Sequence, residues 1–151
     1  ASVGFLPPLA VAEANEYWTG VAADVAAGAT IMLVARVAQR VAGSVQLALA
    51  LRPNGLHRAE VQRLLVHRNA RRQGLGRALM HAIEGAARRA GRPLLVLDTR
   101  RGDPSERLYN SLGYVEAGSI PGYARSADGT LAATVFFFKM LEGGGDDMPN
   151  G

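Results

Sequence analysis

The spacing of apolar residues changes period several times along this chain. From Ala10 to Ala27, Val11, Ala14, Tyr17, Trp18, Val21, Ala22 and Val25 recur at helical spacing, and Gly28 stops the run. Thr30–Val37 is apolar and partly β-branched, and Val41–Leu51 alternates through Val45, Leu47, Leu49 and Leu51. The two read as strands joined by a hairpin turn at Gln39-Arg40, where no strong turn residue stands. Arg52-Pro53-Asn54-Gly55 is turn chemistry, and Ala59–His67 reads as a third strand, so the first half is expected to be an antiparallel meander.

The period then shifts to that of a helix. Leu75, Ala78, Leu79, Ala82, Ile83, Ala86, Ala87 and Ala90 form an unbroken stripe, closed by Gly91 and Pro93. His81 falls on its polar side, with Arg77, Glu84 and Arg88, and reads as solvated. Leu94–Asp98 is a short apolar strand of the kind buried on both faces. Asp103-Pro104-Ser105-Glu106 offers an N-cap acid, a proline at the first helical position and a glutamate at the third, which predicts a helix running to Gly113. Tyr114–Ala117 and Ala132–Leu141 read as strands joined by a long loop containing Pro121-Gly122 and Asp128-Gly129. The tail Gly143–Gly151 has little to pack and is expected to be disordered, leaving one domain over residues 1–142.

Composition narrows the function. A length of 151 residues with 48% apolar and 20% charged residues is that of one globular domain. The absence of cysteine excludes a disulfide scaffold, a thiolate zinc site, a redox dithiol and a cysteine acyl-enzyme. Three scattered histidines do not make a metal cluster, so no metal is expected. The longest apolar stretches, Ile31–Ala35 and Leu47–Leu51, fall far short of the roughly 18 residues of a membrane span, and no signal peptide opens the chain, so a cytoplasmic protein without a membrane partner is expected. The net charge of +4 is carried by arginine, with Lys139 the only lysine. It favours an anionic ligand, though a GC-rich genome would leave the same bias.

The candidate chemistry lies in Val66-His67-Arg68-Asn69-Ala70-Arg71-Arg72-Gln73-Gly74-Leu75-Gly76-Arg77, where a strand runs through a basic, glycine-containing loop into the long helix. First-turn N–H groups have no partner within a helix and sit at the positive end of its dipole. Glycines at 74 and 76 leave no Cβ between those donors and a phosphate. Arg71, Arg72 and Arg77 add positive charge, so the stretch reads as a pyrophosphate cradle. It lacks the Lys-Ser/Thr of a Walker loop, and Leu79 stands where a dinucleotide fingerprint needs a small residue. A plain solvated turn is the alternative.

On these residues the sequence resembles the GNAT N-acetyltransferases. Their signature of Arg or Gln, two residues, Gly, one residue, then Gly or Ala is met by Arg71-Arg72-Gln73-Gly74-Leu75-Gly76. A second motif, Leu108-Tyr109-Asn110-Ser111-Leu112-Gly113-Tyr114, follows in the family's order, and the likeness runs from about Ala59 to Leu141. Pro121-Gly122-Tyr123 to Phe138-Lys139 looks most like the tabtoxin-resistance type. The resemblance implies an α+β fold, with a central mixed, mostly antiparallel sheet flanked by helices and a splayed strand pair for CoA. It implies acetyl-CoA as cosubstrate, held by the backbone of Leu65 and Val66 and by Arg71, Arg72, Gln73, Gly74, Leu75, Gly76 and Arg77. Tyr109 matches the tyrosine that protonates the departing thiolate, although Leu108, Tyr109 and Leu112 also make an apolar face. Glu60 and Asp98 each match a general base used in the family, and the sequence does not choose between them.

The expected function is acetyl transfer to the amine of a small molecule by direct attack in a ternary complex, with a homodimer compatible and no nucleic-acid partner. A non-catalytic CoA-binding domain and, behind it, a basic nucleic-acid binder are the alternatives; few aromatics interleave the arginines to stack bases. Family members begin with a strand and a helix ahead of the segment that opens this chain, and these are expected to be missing here, a divergent opening being the alternative. Tyr17, Trp18 and Tyr123 are candidates for the acceptor pocket, and His67 for a contact with CoA.

Overall fold

In a computed structural model of the chain, which describes residues 28–68 and 74–142, six strands form one mixed sheet. The strands are β1 (Thr30–Val37), β2 (Arg40–Leu49), β3 (Arg58–Val66), β4 (Leu94–Arg100), β5 (Val115–Arg125) and β6 (Leu131–Met140), in the spatial order β1-β2-β3-β4-β6-β5. Helix α1 (Leu75–Arg89) lies between β3 and β4, and α2 (Pro104–Ser111) between β4 and β5. β3 and β4 are the parallel pair, which needs a long crossover such as α1 supplies; the other neighbours are antiparallel. The expected helix at 10–27, the loop residues 69–73 and the tail at 143–151 lie outside the described residues.

The apolar stripe of α1 buries Leu79, Met80, Ile83, Ala86 and Ala87 in one cluster with Val45, Leu47, Val61, Leu95, Leu97, Val135 and Phe137. Each of the larger side chains contributes roughly 1.5–3 kcal/mol by leaving water. The other expected helix forms as its signals dictate: Asp103 is the N-cap, its Oδ1 accepting the Ser105 N–H at 3.0 Å, and Pro104 follows. Glu106 turns back to accept the Gly102 N–H at 2.9 Å.

Two local expectations are corrected. The β1–β2 turn sits one residue earlier, at Ala38-Gln39, whose φ values of 51° and 67° are those of a two-residue hairpin turn without glycine. The stretch at Pro121-Gly122 belongs to β5 rather than to a loop. Pro121 falls in a register irregularity between Ile120 and Ala124 of an edge strand, where its missing N–H breaks no ladder bond. Glu84, on the polar side of α1, is nevertheless 2% exposed, held by the Lys139 ammonium and the Tyr114 hydroxyl.

Candidate active site

β3 and β4 pair only through Arg58–Leu94, Ala59–Leu95 and Glu60–Val96; beyond that point the described residues give no further pairing between them. Val61–Val66 thus keeps its hydrogen bonds to β2 while the edge facing β4 is free of a strand partner. A bulge accompanies the separation. Ser44 pairs with Leu65 and Gln46 with Gln62, so Arg63 and Leu64 stand opposite Val45 alone, and Arg63 takes a φ of 54°. Such an extra residue bends and twists its strand.

The β2 residue facing the far end of β3 is Gly43, and a Cβ there would stand 2.8 Å from the Leu65 carbonyl oxygen. Glycine is required by that close approach. Sequence reading passed over it, although an isolated glycine inside an alternating strand is the signal for such a contact.

At the mouth of the cleft α1 begins. Gly74 is its N-cap in the left-handed region (φ 74°), no described side chain caps the first turn, and that turn holds no acid. The first intrahelical bond is Ala78 N–H to the Gly74 carbonyl, so the amides of Leu75, Gly76 and Arg77 precede the ladder. The two glycines serve different needs. Gly74 is there for its positive φ. A Cβ on Gly76 would lie 3.3 Å from Leu108 Cδ2, so glycine there also lets α1 approach α2 closely. Arg77 turns toward α2, donating to Ser111 Oγ at 2.7 Å. Arg71, Arg72 and Gln73 lie outside the described residues, as do Tyr17 and Trp18.

Of the three expected catalytic side chains, Asp98 is coupled electrostatically to Glu60, where β3 and β4 part, and more weakly to Tyr109. Glu60 pairs across to Val96, and Asp98 is two residues further along β4 on the same face. Burial lifts the Glu60 carboxyl above its ordinary value, a hydrogen bond with Gln62 works against this, and the charge of Asp98 lifts it further. The Asp98 carboxyl is itself raised, chiefly by desolvation beside the sheet, although the residue as a whole is exposed. Tyr109 is 5% exposed, packed edge-on to Phe137 and tilted against Tyr114 at centroid distances of 6.0 and 5.8 Å. Burial, then the negative charge of Asp103, pushes its phenol up to about 12, with the Ser105 hydroxyl opposing and Asp98 adding to the rise. Ser105 Oγ donates to Asp103 Oδ1 at 2.7 Å and lies 2.7 Å from Thr99 Oγ1, so the end of β4 and the start of α2 are tied beside the tyrosine.

His67 and His81 are exposed, and Tyr123 packs edge-on to Phe136 at 5.5 Å while remaining more than half exposed. Among the described residues no helix is long and apolar enough to cross a membrane.

Residues 28–116 match the acetyltransferase (GNAT) domain family. The ribosomal-protein-alanine N-acetyltransferase of Brucella melitensis has a similar structure, with a TM-score of 0.77 and 24% identity over 93% of this chain and 85% of its own. The Salmonella typhimurium protein yncA, solved with acetyl-CoA as its cofactor, gives a TM-score of 0.75 at 22% identity over 90% of this chain and 77% of its own. A GNAT-family acetyltransferase from Streptococcus pneumoniae gives 0.71 at 20% identity, covering 89% and 78%. At these identities the structures speak for a shared fold.

Proposed function

Because the chain belongs to the GNAT family of acetyltransferases, we propose that it moves an acetyl group from acetyl-CoA to the amine of a small molecule, by direct attack while both substrates are bound. The observation that carries this reading is the parting of β3 from β4, beside a helix start that no described side chain caps, with Glu60 and Asp98 on one face where the strands separate and Asp98 coupled to Tyr109. The residues fit the cosubstrate. The free edge of Leu65 and Val66 suits an amide-bearing arm, and the first-turn amides of α1 suit a diphosphate. In this reading the loop residues Arg71, Arg72 and Gln73 complete the cradle, with Gly74, Leu75, Gly76 and Arg77 contributing backbone. Bound acetyl-CoA supplies a thioester open to attack by an amine.

The chain's own groups manage the protons. An ammonium must lose one before it attacks, and Glu60 takes it; its raised pKa brings it nearer to working pH, where a base is most effective. Asp98 acts as the second carboxylate, whose ionisation holds the Glu60 proton more tightly. Tyr109 stays protonated throughout the physiological range and donates to the leaving sulfur. The dry surroundings that lift the phenol also disfavour a bare thiolate, so acceptor and donor rise together. The Tyr109 and Asp98 pairing is what the tabtoxin-resistance type would use, and we place the chain near that type as a single cytoplasmic domain.

Calorimetric titration with CoA is expected to give about one site per chain, and absence of binding would sink the proposal. A screen of small amines, followed by release of free thiol, is expected to find turnover. CoA binding with no turnover on any amine would instead favour a non-catalytic CoA-binding domain.

A further inference from the structure

The chain's one lysine lies far from its basic loop in sequence and, itself partly exposed, is committed to a buried carboxylate. Lys139 Nζ, on β6, donates to Glu84 Oε1 at 2.9 Å and to the Leu112 carbonyl at 2.7 Å, and lies 5.4 Å from the centre of the Tyr114 ring. Tyr114 in turn donates its hydroxyl to Glu84 Oε2 at 3.0 Å. Both oxygens of one buried carboxylate on α1 are therefore spent on the two residues that flank the end of α2. That end holds Tyr109: its carbonyl accepts the N–H groups of Leu112 and Tyr114, and its ring lies against the Tyr114 ring.

A buried ion pair is a poor way to gain stability, because desolvating two charges cancels most of their attraction and apolar replacements are often as stable. What such a pair supplies is direction. The compact ammonium has three donors, and two fixed acceptors from different elements define where it sits. Tyr114 stays a donor, since burial and then the Glu84 charge raise its pKa well above the ordinary phenol range.

We propose that Glu84 and Lys139 are positioning residues for acetyl transfer: acting through Tyr114 and the Leu112 carbonyl, they fix Tyr109 relative to the helix whose N-terminus faces the cosubstrate. This rests on the reading of Tyr109 as the proton donor. In this reading they act through the tyrosine and not on the substrate.

The test uses Glu84→Gln combined with Lys139→Met, which removes both charges together and leaves Tyr114 an acceptor at position 84. Turnover number is expected to fall about tenfold, with the CoA dissociation constant within about twofold of the wild type. In a Tyr109→Phe background the same pair is expected to cost less than twofold. Equal losses in both backgrounds, or an unchanged turnover number with only a lower melting temperature, would overturn the proposal. A readout independent of turnover is the Tyr109 Cζ resonance in tyrosine-labelled protein, assigned by its loss in Tyr109→Phe. The double variant is expected to shift or broaden it at neutral pH, and an unmoved resonance overturns the proposal even if no amine is ever acetylated. Failure of the acetyltransferase reading shows separately, as wild-type protein that does not bind CoA or does not turn over.

Discussion

Tyr109 illustrates how one side chain answers to packing and chemistry at once. Its ring fills the space between Tyr114 and Phe137, and the same burial keeps its hydroxyl protonated. Tyr109→Phe preserves the ring and removes only the donor, so stability should change little while the turnover number drops about 100-fold or more, the usual size of a general-acid contribution. Steady-state kinetics beside a CoA titration separates the two effects. Glu60 and Asp98 give a pH prediction. Glu60 must be ionised to act as the base and Asp98 to tune it, so the acid limb of the rate profile should lie above the ordinary values of 4.5 and 3.8, and Glu60→Gln should abolish most of the rate. Stability runs the opposite way. The folded chain holds these protons more tightly than the unfolded one, so their contribution is full below the ordinary values and is lost as pH rises through the raised ones. Glu60→Gln removes its share, and urea titrations should show the variant gaining on the wild type as pH rises from about 4 to 7.

Elements were legible wherever a period or a cap announced them, and misread where a contact decided. The stripe from Leu75 and the Asp103-Pro104 start are local signals, and both helices begin where they predict. The β1–β2 turn carries no such signal, because Ala38 and Gln39 are poor at positive φ and are held there by the flanking register. Replacing them with Asn and Gly should therefore stabilise the protein by about 1 kcal/mol, raising the melting temperature by roughly 2–4 °C. Gly43 predicts the reverse. Its Cβ would meet backbone, which cannot yield as a side chain can, so Gly43→Ala should push on the strand at Leu65. A loss of about 1–3 kcal/mol in chemical denaturation is expected, together with weaker CoA binding. Glu84 escaped sequence reading because helical periodicity places a residue on a face without saying what its neighbours bring to it; Tyr114 and Lys139, 30 and 55 residues away, give the buried carboxylate its partners.

At the scale of the molecule, the candidate site exists because one sheet is closed at one end of a strand pair and open at the other. A ligand gripping both β3 and α1 should therefore stabilise the whole fold. CoA at 100 times its dissociation constant is expected to add about 2.7 kcal/mol, or roughly 5–10 °C in a thermal-shift assay. A melting temperature indifferent to CoA would mean that the cleft is not its site. The sequence alone determined the alternation of strands and helices, the glycine-bearing helix start and the tyrosine motif, because periodicity, caps and turn chemistry act between residues close in the chain. It did not determine where β3 leaves β4, which glycine answers to φ and which to packing, or that Glu84 and Lys139 are partners. Those depend on register and approach between segments distant in sequence, and such distances are set only when the chain has folded.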